Sequence, residues 1–135
     1  MLIIYDFISY TDVFTYNITT LESLLIYAMK TILYQSDYLG NGFEFATINQ
    51  PDDYEGKVVA TVIRKQCSMP SNKAVLYVHG FNDYFFQSDM AHRFNEKEYH
   101  FYAIDLRKYG RSTLSHQKSN NMRSLTEYFA DLDEA

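Results

Sequence analysis

Apolar residues in the middle of the chain follow the two-residue period of β-strands. Residues 43–50 (FEFATINQ) alternate between apolar and polar positions, and residues 57–65 (KVVATVIRK) form a second strand-like run. A turn-forming stretch at 51–56 separates them, with Pro51 at its start and Gly56 at its end. Two such runs around a turn predict an antiparallel hairpin with a loop of moderate length.

The next segments predict a parallel β-α-β unit. Residues 74–78 (AVLYV) are uniformly apolar, which is typical of a strand covered on both faces. Residues 87–95 carry an apolar helical face, and residues 100–106 (HFYAIDL) form another buried strand. A strand, a helix and a strand within roughly thirty residues favour two parallel strands joined by a right-handed crossover.

A helix is predicted before the hairpin. Thr19 and Glu22 form a T-x-x-E capping box, followed by apolar residues at helical spacing over 19–35. We therefore expect a helical extension over residues 1–39.

A further helix is predicted at the C-terminal end. Ser124 and Glu127 form a second capping box, and the apolar helical pattern is still running at Ala135. Residues 40–135 are therefore expected to form an α/β domain that the end of the sequence interrupts within a helix.

Composition and charge argue against several classes of function. The net charge of −5 disfavours nucleic acid as a partner, because phosphate binding requires a basic face. Asp6 and Asp12 interrupt the apolar N-terminus, so we expect no stable membrane insertion and a cytoplasmic protein. The single cysteine, Cys67, excludes an internal disulfide. The four histidines lack metal-binding spacing, so neither a metal nor another cofactor is expected.

Two motifs carry the strongest functional signal. The stretch VLYVHGFNDY (75–84) takes an apolar strand into a His-Gly corner, and YAIDLRKYGRS (102–112) follows the next strand. Both resemble segments of the α/β-hydrolase superfamily, in its lysophospholipase, monoglyceride-lipase and serine-aminopeptidase-like branch. The second is similar to a motif usually written D-x-R-G-x-G-x-S, with Lys108 where glycine is common. The likeness covers about residues 40–134 and implies the N-terminal half of an α/β-hydrolase fold.

The resemblance implies a role for each residue of the two motifs. The Phe81 backbone N–H would be one of two donors in an oxyanion hole, which stabilises the charge that develops during acyl transfer. A glycine before it would let the substrate carbonyl approach. The remaining residues would support the two loops: His79, Gly80, Asp105, Arg107, Gly110 and Ser112.

The nucleophile of such an enzyme is missing from the sequence. No G-x-S-x-G occurs, and YGRST around Ser112 lacks the second glycine. We therefore expect an incomplete serine hydrolase, inactive alone, whose full-length form cleaves a carboxylic ester or amide, lipid monoesters included. The truncated sheet would leave an unpaired edge and favour self-association.

Two other functions stay open at this stage. One is a non-catalytic binding or interaction module, and the other is a remnant of a truncated reading frame. A dinucleotide-binding fold fits poorly, because residues 79–82 do not match its glycine motif, although Asp105 occupies the position of its acidic residue.

Overall fold

The computed structural model describes residues 32–134 and the backbone of residues 2–6. Within these residues the fold is mixed α/β, with a six-stranded sheet and two α-helices. The strands have the spatial order β1-β5-β6-β4-β3-β2. The strands are β1 (Leu2–Asp6), β2 (Gln35–Ser36), β3 (Glu44–Asp53), β4 (Gly56–Lys65), β5 (Lys73–Val78) and β6 (Tyr99–Asp105). The helices are α1 (Ser88–Asn95) and α2 (Glu127–Asp133).

The hairpin of β3 and β4 is confirmed, but its loop is shorter than predicted. Asp53 pairs with Gly56, which leaves a two-residue turn between them. The register shifts between Gln50 and Asp53, around Pro51. A bulge accommodates a residue that cannot donate to the ladder, so β3 continues beyond the proline that marked the predicted turn.

The parallel unit is also confirmed. β5 and β6 pair in parallel from Lys73↔Tyr99 to Val78↔Ile104, with α1 between them in the chain. α1 packs on one face of the sheet over the core cluster of Phe43, Ile63, Val75, Phe85, Ala91, Phe101 and Ala103.

The second helix packs on the opposite face. Tyr128 and Leu132 of α2 contact the cluster of Ala60, Val78, Ile104, Leu106 and Tyr109. α2 therefore lies beside the points where β5 and β6 end, and the two sequence motifs at 75–84 and 102–112 meet there.

The start of α2 differs from the predicted capping box. Ser124 Oγ accepts the Thr126 N–H, and Glu127 Oε1 accepts the Arg123 N–H, so neither side chain bonds the amide that a capping box requires. Three successive bonds between residues three apart, the first from Glu127 N–H to the Ser124 carbonyl, form a tighter turn before the helix.

The N-terminal segment joins the sheet. β1 pairs antiparallel with β5, from Leu2↔Tyr77 to Asp6↔Lys73. β5 therefore has a partner on both sides, and the expectation that the truncated sheet leaves this edge unpaired is wrong. The apolar stretch LIIYD supplies the missing partner.

Most of the predicted N-terminal helix lies outside the residues that the structure describes. It covers residues 19–35, of which residues 19–31 lie outside the described part of the chain. Residues 32–34 have no regular structure and Gln35 begins β2, so the predicted helical end is wrong for these residues.

Candidate functional site

His79 joins the ends of β5 and β6. Its buried imidazole accepts the Leu106 N–H at Nε2, over 3.1 Å, and its Nδ1 lies 2.8 Å from the Gly80 carbonyl oxygen. Because Nε2 is the acceptor, Nδ1 carries the hydrogen and donates it to that carbonyl. The side chain thereby fixes the peptide that links Gly80 to Phe81.

The fixed peptide determines the direction of the Phe81 N–H. A trans peptide is planar, so the N–H of Phe81 points away from the Gly80 carbonyl that His79 holds. Among the described residues this N–H has no hydrogen-bond acceptor. The Phe81 side chain is 75% exposed. The Phe81 N–H therefore has a fixed direction, and no other described residue accepts its hydrogen.

An apolar pocket of about 330 Å³ adjoins this corner. Its walls come from the end of β5, the loop after β6, and α2 with the segment before it. The lining residues are Val78, His79, Gly80, Phe81, Leu106, Tyr109, Met122, Leu125, Tyr128, Phe129 and Leu132. None of them is acidic, and none is a lysine or an arginine.

Two tyrosines of the pocket lining are joined through their hydroxyl groups. Tyr128 Oη donates to Tyr109 Oη over 3.1 Å, and the Tyr109 ring packs 4.7 Å from the His79 ring. Burial, together with the hydrogen bond to Tyr109, raises the pKa of Tyr128 above its ordinary value of 10.0. Tyr128 therefore keeps its proton at neutral pH and acts as a donor.

Asp105 supports the loop after β6. Its carboxylate is fully buried and accepts the backbone N–H groups of Phe85 (2.8 Å) and Arg111 (3.0 Å). The Arg111 guanidinium lies 2.8 Å from the same carboxylate. Both oxygens are occupied, and Asp105 does not line the pocket, so the geometry fits support rather than proton transfer.

Gly110 and Ser112 fit the same buried network. Gly110 has φ +44°, and a Cβ there would lie 2.6 Å from the Asp105 carboxylate and 2.7 Å from Tyr84 Cβ. Ser112 is buried, and its Oγ donates to the Asp105 carbonyl over 2.6 Å and lies 3.0 Å from the Thr61 hydroxyl. An engaged and buried hydroxyl of this kind is poorly placed to act as a nucleophile.

Arg107 ties the loop to α2. Its guanidinium forms a two-pronged ion pair with Asp131, with contacts of 2.8 and 3.1 Å, and its backbone N–H also donates to that carboxylate. Burial lowers the pKa of Arg107, but the bonds to Asp131 outweigh it and raise the value overall. The helix wall of the pocket is thus anchored by a buried charge pair.

Lys108, which the resemblance places where glycine is common, has a backbone conformation that favours glycine. Its φ is +65°, a left-handed conformation that glycine adopts without strain. The buried ammonium lies 2.6 Å from a carboxylate oxygen of Asp53 and of Glu55, and 4.1 Å from the centre of the Tyr54 ring. These contacts hold the lysine in place and link the loop to the turn between β3 and β4.

Sequence reasoning missed three members of this network: Arg111, Asp37 and Asp131. Arg111 forms a two-pronged ion pair with Asp37, with contacts of 2.7 and 3.0 Å, and also donates to the Phe85 carbonyl. The one local signal in the sequence is the close spacing of Arg107, Lys108 and Arg111. The Arg107–Asp131 and Arg111–Asp37 pairs join residues that are 24 and 74 positions apart along the chain, where spacing carries no information.

Cys67 and the other histidines lie outside the pocket lining. Cys67 Sγ donates to the Met69 carbonyl and lies 3.7 Å from His100 Nδ1. His92 stacks near Phe43, and the exposed His116 contacts the Lys57 carbonyl. Over the described residues, no group of three or more His, Cys, Asp and Glu side chains is placed to hold a metal ion.

Comparison with known proteins finds no counterpart. No family model, no curated protein and no solved structure matches the chain. Within the described part of the chain, neither helix has the length and apolar content needed to cross a membrane.

Proposed function

We propose that this chain is the substrate-binding half of a serine hydrolase of the α/β-hydrolase type. Its full-length form would cleave a carboxylic ester or amide. The Phe81 N–H would bind the oxygen of the scissile carbonyl, and the pocket beside it would take the apolar group of the substrate. The nucleophile would come from sequence that these 135 residues do not contain.

One observation carries the proposal: a backbone N–H without a partner among the described residues, held at the rim of an apolar pocket. Oxyanion stabilisation requires donors whose direction is set before the reaction. The contact of His79 with the Gly80 carbonyl supplies that direction. The buried network of Asp105, Arg107 and Arg111 keeps the surrounding loop rigid.

The experiment begins with the coding DNA beyond the Ala135 codon. The proposal requires a strand followed by G-x-S-x-G, and a later Asp and His. The longer protein is then expressed and its hydrolysis of a short-chain p-nitrophenyl ester is measured. The 135-residue chain alone should give no turnover.

Two variants at one position test the donor itself. Phe81→Pro removes the N–H, whereas Phe81→Ala keeps it and removes only an exposed ring. Loss of one oxyanion donor should lower kcat by about 10²–10³-fold in the proline variant. The alanine variant should stay within a few-fold of the parent. Equal rates for the two variants, or no serine motif beyond Ala135, would contradict the proposal.

A second candidate function is ligand binding without turnover. It is favoured by the apolar pocket that residues between Val78 and Leu132 line in the described part of the chain. Such a module would bind apolar esters as the 135-residue chain, and the longer reading frame would hold no catalytic serine.

A further inference from the structure

The Tyr109 hydroxyl holds a hydrogen that the described residues do not use. Tyr109 is 3% exposed, and its oxygen accepts the proton of Tyr128. Its own O–H has no acceptor among the described residues. A buried donor left without a partner costs free energy, so an acceptor that reaches it is favoured.

The surroundings of this donor restrict what the acceptor is. Tyr109 and Tyr128 both line the apolar pocket, together with His79 and Phe81. His79 is the only imidazole among the described lining residues, and both of its nitrogens are engaged with backbone groups. Among the described residues no arginine or lysine lines the pocket to balance a negative charge, and an unbalanced carboxylate in an apolar site is strongly disfavoured.

We propose that the Tyr109 hydroxyl is a specificity-determining donor that selects uncharged esters over hydrocarbons and over free carboxylates. It donates to a neutral oxygen of the ligand inside the pocket, while Tyr128 orients it by donating to its oxygen. This inference rests on the proposed function, since the same pocket would receive the ester.

Three small probes of similar shape separate the contributions. Methyl benzoate carries an uncharged ester, ethylbenzene lacks an acceptor oxygen, and benzoate is charged. Binding of each to the 135-residue chain is followed by NMR titration of the protein. Methyl benzoate should bind more tightly than ethylbenzene, by roughly two- to tenfold for one added hydrogen bond. Benzoate should bind most weakly.

Two variants serve as a matched pair. Tyr109→Phe and Tyr128→Phe both remove the same bond between the two hydroxyls, but only the first removes the proposed donor. Tyr109→Phe should abolish the preference for methyl benzoate over ethylbenzene and leave ethylbenzene binding unchanged. Tyr128→Phe should keep most of that preference. Unchanged ethylbenzene binding also shows that the variant has retained its pocket.

The outcomes distinguish this inference from the proposed function. If both neutral probes bind equally to the parent, or if Tyr109→Phe keeps the preference, the role of Tyr109 is overturned while the pocket stands. If no probe binds, the pocket itself and the proposed function fail together. Tighter binding of benzoate would overturn the selection against carboxylates.

Discussion

At the scale of single residues, backbone conformation and close contacts explain which residues the loop after β6 accepts at positions 108 and 110. Gly110 adopts φ +44° against the Asp105 carboxylate, whereas Gly80 has open space around the position of a Cβ. The two glycines therefore tolerate a side chain very differently, although both lie in motifs that the sequence singled out. Lys108 also adopts a left-handed conformation, and two ion pairs offset the strain of that conformation.

Gly110→Ala should strongly destabilise the fold. The added Cβ meets Asp105 and Tyr84 at under 3 Å in a left-handed conformation. We expect a loss of about 2–4 kcal/mol, from overpacking together with backbone strain. Urea denaturation measures it. Gly80→Ala is the control and should cost less than about 1 kcal/mol. Similar losses for both glycines would contradict this account of the loop.

The ion pairs of Lys108 predict a pH-dependent stability. Burial opposes ionisation of both partners, but the contacts with Lys108 hold the pKa of Asp53 below its ordinary value of 3.8. The contacts with Asp53 and Glu55 raise the pKa of Lys108 above its ordinary 10.5. A carboxyl group whose pKa is lower in the folded state stabilises the fold at pH values above its unfolded-state pKa. That stabilisation is lost as the pH falls below about 4. An ammonium group whose pKa is higher in the folded state stabilises the fold at pH values below 10.5, its ordinary pKa. That stabilisation is lost as the pH rises further.

Lys108→Met should therefore cost most near neutral pH and progressively less below about pH 4, where its carboxylate partners become protonated. The free energy of unfolding in urea, compared at about pH 7 and pH 3, provides the measurement. Lys97→Met, at an exposed lysine, is the matched control and should show little effect at either pH. A Lys108→Met cost that is the same at both pH values would show that packing, rather than charge pairing, explains the residue.

At the scale of elements, β1 occupies the edge of the sheet beside β5, where a strand following α2 would be expected. α1 and α2 cover opposite faces of the sheet. Right-handed crossovers on opposite faces run in opposite directions, so a parallel strand following α2 would return across β5 to its far side. β1 holds that side in antiparallel pairing. In the proposed longer enzyme, β1 would have to give up this edge to the strand that carries the nucleophile.

Ile4→Pro tests the role of β1. Ile4 pairs with Val75, and proline cannot donate to the ladder. Weakening β1 should uncover the apolar edge of β5 and cause concentration-dependent self-association. Sedimentation velocity measures it, with Ile4→Val as the control that keeps the ladder. If the proline variant stays as monomeric as the valine variant, β1 does not protect this edge.

At the scale of the whole molecule, local patterns predicted the elements and long-range contacts decided the site. The two-residue period at 43–50 and the uniform apolar run at 74–78 were sufficient to predict the hairpin and the parallel pair. The period of the apolar residues reflects burial on one or both faces of a strand. The His-Gly corner could also be found, because glycine after a buried strand is a local signal.

The remainder depended on pairing across the chain. β1 was not predicted, because nothing in LIIYD indicates that it pairs with residues about 70 positions later. The two carboxylates Asp37 and Asp131, which hold Arg111 and Arg107, have no local motif. The Tyr109–Tyr128 pair likewise exists only because α2 packs over the loop after β6.

The most direct test of the central claim follows the Phe81 amide while an ester enters the pocket. The 135-residue chain is labelled with ¹⁵N-phenylalanine and titrated with methyl benzoate. The Phe81 amide proton should move downfield as it gains an acceptor, with the same dissociation constant as binding to the pocket. The Phe86 amide, already bonded to Gln87, should stay in place. Saturation of the pocket with no movement of the Phe81 amide would contradict its assignment as the oxyanion donor.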